Sequence, residues 1–348
     1  SVQMNLTRGG GYTPHKASQV LTKNYGDCKD KANLMKALLA AAGIESHLVA
    51  IYSGARDFVR PEWPSTMQFN HMIIAVQAPS DAALPTILEY PALGRLLFFD
   101  PTDPYTPVGD LPSDEQGSHA LVIAGEKGGL VRIPLTPASS NRVVSETAAV
   151  MTPAGGVTVK TSQKYYGQSA SALRSFSRRV DEATFRRYFE RILTRRLGGL
   201  TLQAIQGVDS PSGEWDLSLE FKALQLGKLM QDRLLIVAPG AMVSSRPYAF
   251  PPMQRKLPVK LEAQVRQDRV VLQLPEGFQM DELPDPVQLK GPFGEFRAKW
   301  KAEGGTLEME QTLEVYDSTV PAADYAKVRD FFEQVGGAEG AAAVLVKK

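Results

Sequence analysis

Three side chains early in the sequence have the types, and the order, needed for acyl transfer through a sulfur nucleophile: Cys28, His71 and Asp100. Cys28 is the single cysteine of the chain. It lies in the stretch 24–44, NYGDCKDKANLMKALLAAAGI. A helix beginning at Cys28 puts Cys28, Ala32, Met35, Leu39 and Ala42 on one stripe and turns Lys29 and Lys36 outward. Asp27 suits the N-cap and Gly43 the left-handed stop. The sulfur then sits in the first turn, where unpaired N–H groups and the positive dipole end favour a thiolate, while Asp27 and Asp30 oppose it. A lone cysteine at a helix start also fits an inert, small apolar residue. A base has to decide between the two.

The segment FNHMIIAVQ alternates His71, Ile73 and Ala75 against Met72, Ile74 and Val76, which predicts a strand starting near His71. A second apolar run, Leu96 to Phe99, ends at Asp100 and is stopped by Pro101. Antiparallel pairing of the two sets the start of one beside the end of the other, so His71 and Asp100 become neighbours. His47, inside a strand predicted over 44–52, reads as a strand residue rather than a second base. Trp63, in the Pro-marked loop 53–68, is either a groove rim that excludes water or an anchor for that loop.

GDCKDKANLMKALLAAAGI, then FNHMIIAV, then LFFDPTDP, together resemble the transglutaminase-like core, in particular that of bacterial proteins that flank it with β-rich domains of unknown function. Gly109-Asp110-Leu111-Pro112 has the look of the same group, and a weaker likeness to its C-terminal domain is carried by PYAFPPMQRKLPV. The resemblance implies an α+β fold, with the cysteine helix packed on an antiparallel sheet, and a Cys28–His71–Asp100 triad acting on glutamine carboxamides or peptide bonds. It implies a protein or peptide substrate and a periplasmic or secreted location. Gln19 or Asn24 would offer a second oxyanion donor beside the Cys28 N–H, and Trp63 would line the groove. Cores of this kind carry a further helix well upstream of the cysteine, whereas here Val2 to Leu6 reads as a short strand and no initiator Met is present. The expectation is therefore a C-terminal piece of a longer protein, with its core lacking an N-terminal part.

With 39 basic and 38 acidic side chains, the net charge of +1 gives no global pull toward nucleic acid or anionic membrane. One cysteine excludes an intrachain disulfide framework, and neither CxxC nor HExxH spacing occurs. No apolar run reaches the roughly 18 residues of a membrane-spanning helix. Gly9-Gly10-Gly11 lacks the strand and Lys of a phosphate cradle and reads as a turn. No calcium loop is recognisable, and no cofactor is expected.

The core is expected over 1–117, preceded within it by a short helix around His15 to Leu21, and 118–140 as connecting strands. From 141 to 336 turn-bounded strands predict a β-sandwich-like domain, including separate strands over Val259 to Val265 and Arg269 to Leu274. It is interrupted by a helical insertion over 169–197 and closed by a helix from Val320 to Gln334. The tail 337–348 is expected to fray. In the insertion, Arg174, Arg178, Arg179, Arg186, Arg187, Arg191, Arg195 and Arg196 interleave with aromatics, which invites a nucleic-acid reading. The helical period instead places Phe185, Phe189 or Tyr188, Ile192 and Leu193 inward and the arginines on a solvated face.

Two functions from different classes follow. One is a cysteine acyltransferase or hydrolase working through a thioester. The other is a non-catalytic cell-surface or periplasmic binding module that retains the fold. A zinc site of Cys28, His71 and Asp100 is a third possibility.

Overall fold

Apolar residues on both sides of the strand at 71–77 require cover on both faces of its sheet, and the fold supplies it. The computed structural model describes residues 13–210, 212–243, 250–251 and 253–348. The expected strand at Val2 to Leu6, the Gly9 to Gly11 turn and part of PYAFPPMQRKLPV lie outside the described residues. The chain divides into two compact units, Ser1–Pro137 and Ala138–Lys348.

The first unit runs through α1 (Ala17–Lys23), α2 (Cys28–Ala41), β1 (Ser46–Ile51), β2 (His71–Gln77), β3 (Ile87–Tyr90), β4 (Gly94–Phe99), β5 (His119–Ile123) and β6 (Gly129–Arg132). The strands form one antiparallel sheet in the order β3-β4-β2-β1-β5-β6. Cys28 and Ala32 of α2 pack on Leu48, Ala50 and Met72. The alternate residues, Val49, Ile51, Ile73 and Ala75, close a second cluster with Leu96, Phe98 and Leu111. His71 and Asp100 are thus set at the ends of strands whose register is fixed from both faces.

Two expectations are corrected in this unit. The strands of the segment 118–140 are not connectors: β5 pairs with β1 through Ala50↔Leu121, and both β5 and β6 belong to the core sheet, because Ala120, Val122 and Val131 alternate into its core. Lys29 does not point outward. It is 1 % exposed and its ammonium pairs with the Asp27 carboxylate, since a side chain in the first turn leans back over the helix start.

The second unit contains β7 (Arg142–Met151), β8 (Val157–Tyr165), α3 (Gly167–Arg179), α4 (Glu182–Thr194), β9 (Thr201–Asp209), β10 (Trp215–Ala223), β11 (Gly227–Met230), β12 (Leu234–Val237), β13 (Val259–Leu261), β14 (Gln264–Gln273), β15 (Phe278–Glu282), β16 (Val287–Gly291), β17 (Gly294–Glu303), β18 (Thr306–Val315), β19 (Ser318–Val320), α5 (Tyr325–Glu339) and β20 (Ala343–Lys347). An eight-stranded sheet, β16-β17-β18-β14-β7-β8-β10-β9, shares one apolar core with a four-stranded sheet, β11-β12-β20-β15, and with the helices. The β-rich C-terminal region expected from the strand pattern is therefore present, with helices as part of its packing.

Here too the structure departs from the sequence reading. The tail expected to fray instead ends in β20, with Ala343 and Leu345 fully buried, because AVLVK alternates into the core. The last helix starts at Tyr325 rather than Val320, which pairs in β19 with Val259. The arginines of the insertion are not all solvated: Arg174 is buried, with its Nε 2.7 Å from Asp209 Oδ1 and Nη2 2.9 Å from the Gly213 carbonyl. Phe185, Phe189 and Leu193 are buried as the helical period requires. The break expected between Val265 and Arg269 is absent, and β14 runs through it with Arg266 and Asp268 facing inward as a buried ion pair.

Candidate active site

The approach to α2 is tied down before the helix begins. Asp27, in extended conformation, accepts from the Asp30 backbone N–H at 3.2 Å through Oδ1 and pairs with Lys29 through Oδ2. Asp30 accepts from the His15 backbone N–H at 2.8 Å and lies 3.0 Å from the His15 ring. Burial opposes its charge, but the His15 bonds and the Lys29 ammonium hold it below the usual carboxylate range. Both acids that could discourage a thiolate at Cys28 are therefore engaged with partners of their own. Gly26 has no room for a side chain: an added Cβ would come within 2.6 Å of Asp30 Cβ and 3.2 Å of Val20 Cγ1. Gly26→Ala should push α2 away from α1 and cost about 1–3 kcal/mol, read as a lowered urea midpoint with altered Cys28 reactivity.

His71 reaches its position through the register. Ile51 faces His71 across β1 and β2, and Ile74 faces Phe99 across β2 and β4. Continuing that second register one step places Asp100 opposite Ile73, diagonal to His71 and on the same side of the pleat. The residue before His71 is anchored as well, since Asn70 Oδ1 accepts from the Ser53 N–H at 2.8 Å and its Nδ2 donates to the Ser53 carbonyl at 3.1 Å.

The His71 ring presents Nε2 to Asp100 Oδ2 at 3.1 Å and to Glu115 Oε1 at 3.3 Å, while the Cys28 side chain engages the same imidazole. Thr102 explains why the acid is followed by Pro-Thr: its N–H donates to Asp100 Oδ1 at 2.8 Å and its hydroxyl to Oδ2 at 3.0 Å. Burial disfavours charge on His71, but the hydrogen bonds to Asp100, Cys28 and Glu115 prevail and push it up to about 12. Burial also opposes charge on Asp100, yet His71 and the two Thr102 donors hold it below its ordinary value. Cys28 is 3 % exposed, so a negative sulfur there needs a cation at hand, and a protonated imidazole supplies one.

His71, Asp100 and Glu115 bring their ligating atoms within 4.8 Å of one another, a set that in other surroundings could hold a divalent ion. Nε2 faces these two carboxyl oxygens at 3.1 and 3.3 Å, an arrangement that suits an imidazole N–H donor. The zinc set of Cys28, His71 and Asp100 is not assembled among the described residues, because the third ligating group beside His71 and Asp100 is Glu115 rather than the sulfur.

Gln19 on α1 and Asn24 at its C-cap, with φ of 55°, are exposed, and neither makes a hydrogen bond to Cys28, His71 or Asp100 among the described residues. Trp63 is 66 % exposed, and its loop is pinned by Gln68, which bonds the Arg60 backbone and the Trp63 carbonyl. His47 sits half-buried in β1, and burial lowers its pKa.

Sequence reasoning missed Glu115. It is 1 % exposed in a turn between Pro112 and Gly117, and the GDLP motif just before it was the one available signal.

Residues 3–76 match the family model of the transglutaminase-like superfamily, a span that includes Cys28 and His71. Residues 232–345 match DUF3858, described as a domain of unknown function with a solved structure. No curated protein matches the chain. A solved structure of a "putative protease" from Parabacteroides distasonis resembles it with a TM-score of 0.53 at 12 % identity, over 97 % of this chain and 47 % of the other. The chain thus spans about half the length of that protein, and at this identity the likeness concerns the fold.

Proposed function

We propose that this chain, which carries a transglutaminase-like core followed by a β-rich DUF3858 domain, performs cysteine-dependent acyl transfer or hydrolysis on glutamine carboxamides or peptide amides. The observation that carries the proposal is the His71 imidazole held between Cys28 on one side and Asp100, at 3.1 Å, on the other. Cys28 Sγ attacks the carbonyl carbon and its proton resides on His71. The tetrahedral intermediate collapses as His71 returns that proton to the departing ammonia or amine, leaving a thioester. Water or an amine then attacks the thioester, His71 takes the proton of the attacking group, and the sulfur leaves as thiolate. Asp100 accepts from Nε2–H throughout and fixes the tautomer that keeps Nδ1 for the sulfur and the leaving group. The Cys28 backbone N–H, at the first helical position without an intrahelical partner, is one donor for the oxyanion.

The 3 % exposure of Cys28 favours a second reading, a binding module at the cell surface or in the periplasm in which the sulfur is packing alone. A thiol-directed electrophile built on a glutamine or peptide amide separates the two. The acyl-transfer reading expects labelling of the native chain and none of Cys28→Ala; absence of labelling of the native chain, or equal labelling of both, would sink it.

A further inference from the structure

We propose that Glu115 is a second positioning residue for His71, a neutral carboxyl that shares the Nε2 edge of the imidazole with Asp100 and so leaves the buried pair of acids with a single negative charge. This inference rests on the acyl-transfer reading of the same site.

The loop carrying Glu115 is built for placement. The Glu115 N–H donates to the Pro112 carbonyl at 3.0 Å and the Ser118 N–H to the Glu115 carbonyl at 3.1 Å. On the amino side, the Gly54 N–H and the Ser53 hydroxyl hold the Asp114 carbonyl and carboxylate at 3.0 and 2.7 Å. On the carboxyl side, the Gln116 side chain donates to the Leu111 carbonyl at 2.7 Å and accepts from the Thr136 N–H and hydroxyl at 3.1 and 2.8 Å. Arg56 and Arg132 donate to the carbonyls of Gln116 and Gly117 at 2.9 and 3.1 Å. A turn of irregular backbone held from three directions has little freedom to carry its side chain elsewhere.

The charges that bear on Glu115 are equally local. Nε2 has one hydrogen and two acid oxygens facing it, at 3.1 and 3.3 Å. Glu115 Oε2 is buried and makes no hydrogen bond, as suits the carbonyl oxygen of a neutral carboxyl whose proton is on Oε1, where the Asp100 carboxylate can accept it. The ionisable groups acting on Glu115 are His71 of β2 and Asp100 after β4. Burial and the Asp100 charge push Glu115 up to about 8 against the pull of His71. Above that pH a second negative charge arrives at Nε2, binds the imidazolium proton more firmly and slows its delivery to the leaving group.

The test compares alkylation of Cys28 by iodoacetate and by iodoacetamide from pH 5 to 10, with a chelator present, in the native chain, Glu115→Gln, Glu115→Asp and His71→Ala. The ratio of the anionic to the neutral reagent reports the charge beside the sulfur. A severalfold fall of that ratio near pH 8 is expected in the native chain and its loss in Glu115→Gln, with a shifted step in Glu115→Asp as the acid returns one methylene shorter. A residue that merely supported the fold would lower both rates at every pH and leave the step in place. An unfolded Glu115→Gln would show as loss of the cooperative thermal transition, and Glu115→Asp then carries the comparison. Retention of the native step in Glu115→Gln, or no step in the native chain while His71→Ala still changes reactivity, overturns the role of Glu115 alone. Reactivity indifferent to His71 would instead overturn the acyl-transfer reading.

Discussion

His71→Ala should lower turnover of a glutamine or peptide amide by about 10²–10⁴-fold, the range expected when a positioned acid and base is removed. Among the described residues, His71 is the imidazole joined to both Cys28 and an acid. Without it the sulfur loses the cation that makes its charge tolerable at 3 % exposure, and the departing amine loses its proton source. The effect should reside in kcat/KM measured with a chromogenic amide, and Cys28→Ala combined with His71→Ala should be no slower than Cys28→Ala alone, since the two act as one unit. The stability of the variant carries its own sign. His71, raised from 6.5 to about 12, adds stability that is fully present below pH 6.5 and disappears as pH rises through about 12. Asp100, held below 3.8, adds stability present above that value and lost as acid is added. The deficit of His71→Ala in urea denaturation should therefore be largest between pH 3.8 and 6.5, decline as pH rises above that window, and shrink on further acidification, where Asp100 takes up a proton.

The helix that carries Cys28 was legible because its cap and its glycine stop agree, and the structure begins it at Cys28 with Gly43 at φ of 76°; of the expected stripe Cys28 and Ala32 are buried, Met35 and Leu39 half-buried and Ala42 exposed, since the apolar cover ends with the first turns. The neighbourhood of His71 and Asp100 was legible because two apolar runs with polar ends leave few ways to pair. Glu115 was not, because a single acid in a Pro- and Gly-marked turn looks the same in sequence whether it faces water or an imidazole. Lys29 misled for a related reason: helical period assigns a direction to Cβ, whereas a long side chain at a helix start can fold back onto the cap.

The second large effect arises where the sequence was misread. RQDR at 266–269 has the polarity of a turn, yet Arg266 and Asp268 are 4 % and 3 % exposed inside β14. Arg266 Nε lies 2.9 Å from Asp268 Oδ2, and its Nη2 pairs with the buried Glu339 at the end of α5. Arg266→Met would remove one cation and leave two buried carboxylates, and should cost about 3–5 kcal/mol, the range for breaking a buried pair from one side. Gln311, 2.9 Å from Asp268, and Arg196, 3.8 Å from Glu339, soften the loss without replacing the guanidinium. Adding Asp268→Asn and Glu339→Gln should recover part of the stability, since no charge is then stranded. Guanidinium denaturation of the three proteins measures this, and an Arg266→Met chain as stable as the native one would show that the buried pair contributes nothing.

The central claim, that Cys28 and His71 act as a pair, is tested most directly by the rate of iodoacetamide alkylation of Cys28 from pH 4 to 10 in the native chain and in His71→Ala. His71→Ala is expected to slow alkylation at neutral pH and to move the profile toward higher pH. Superimposable profiles, or a native thiol that does not react, would contradict it.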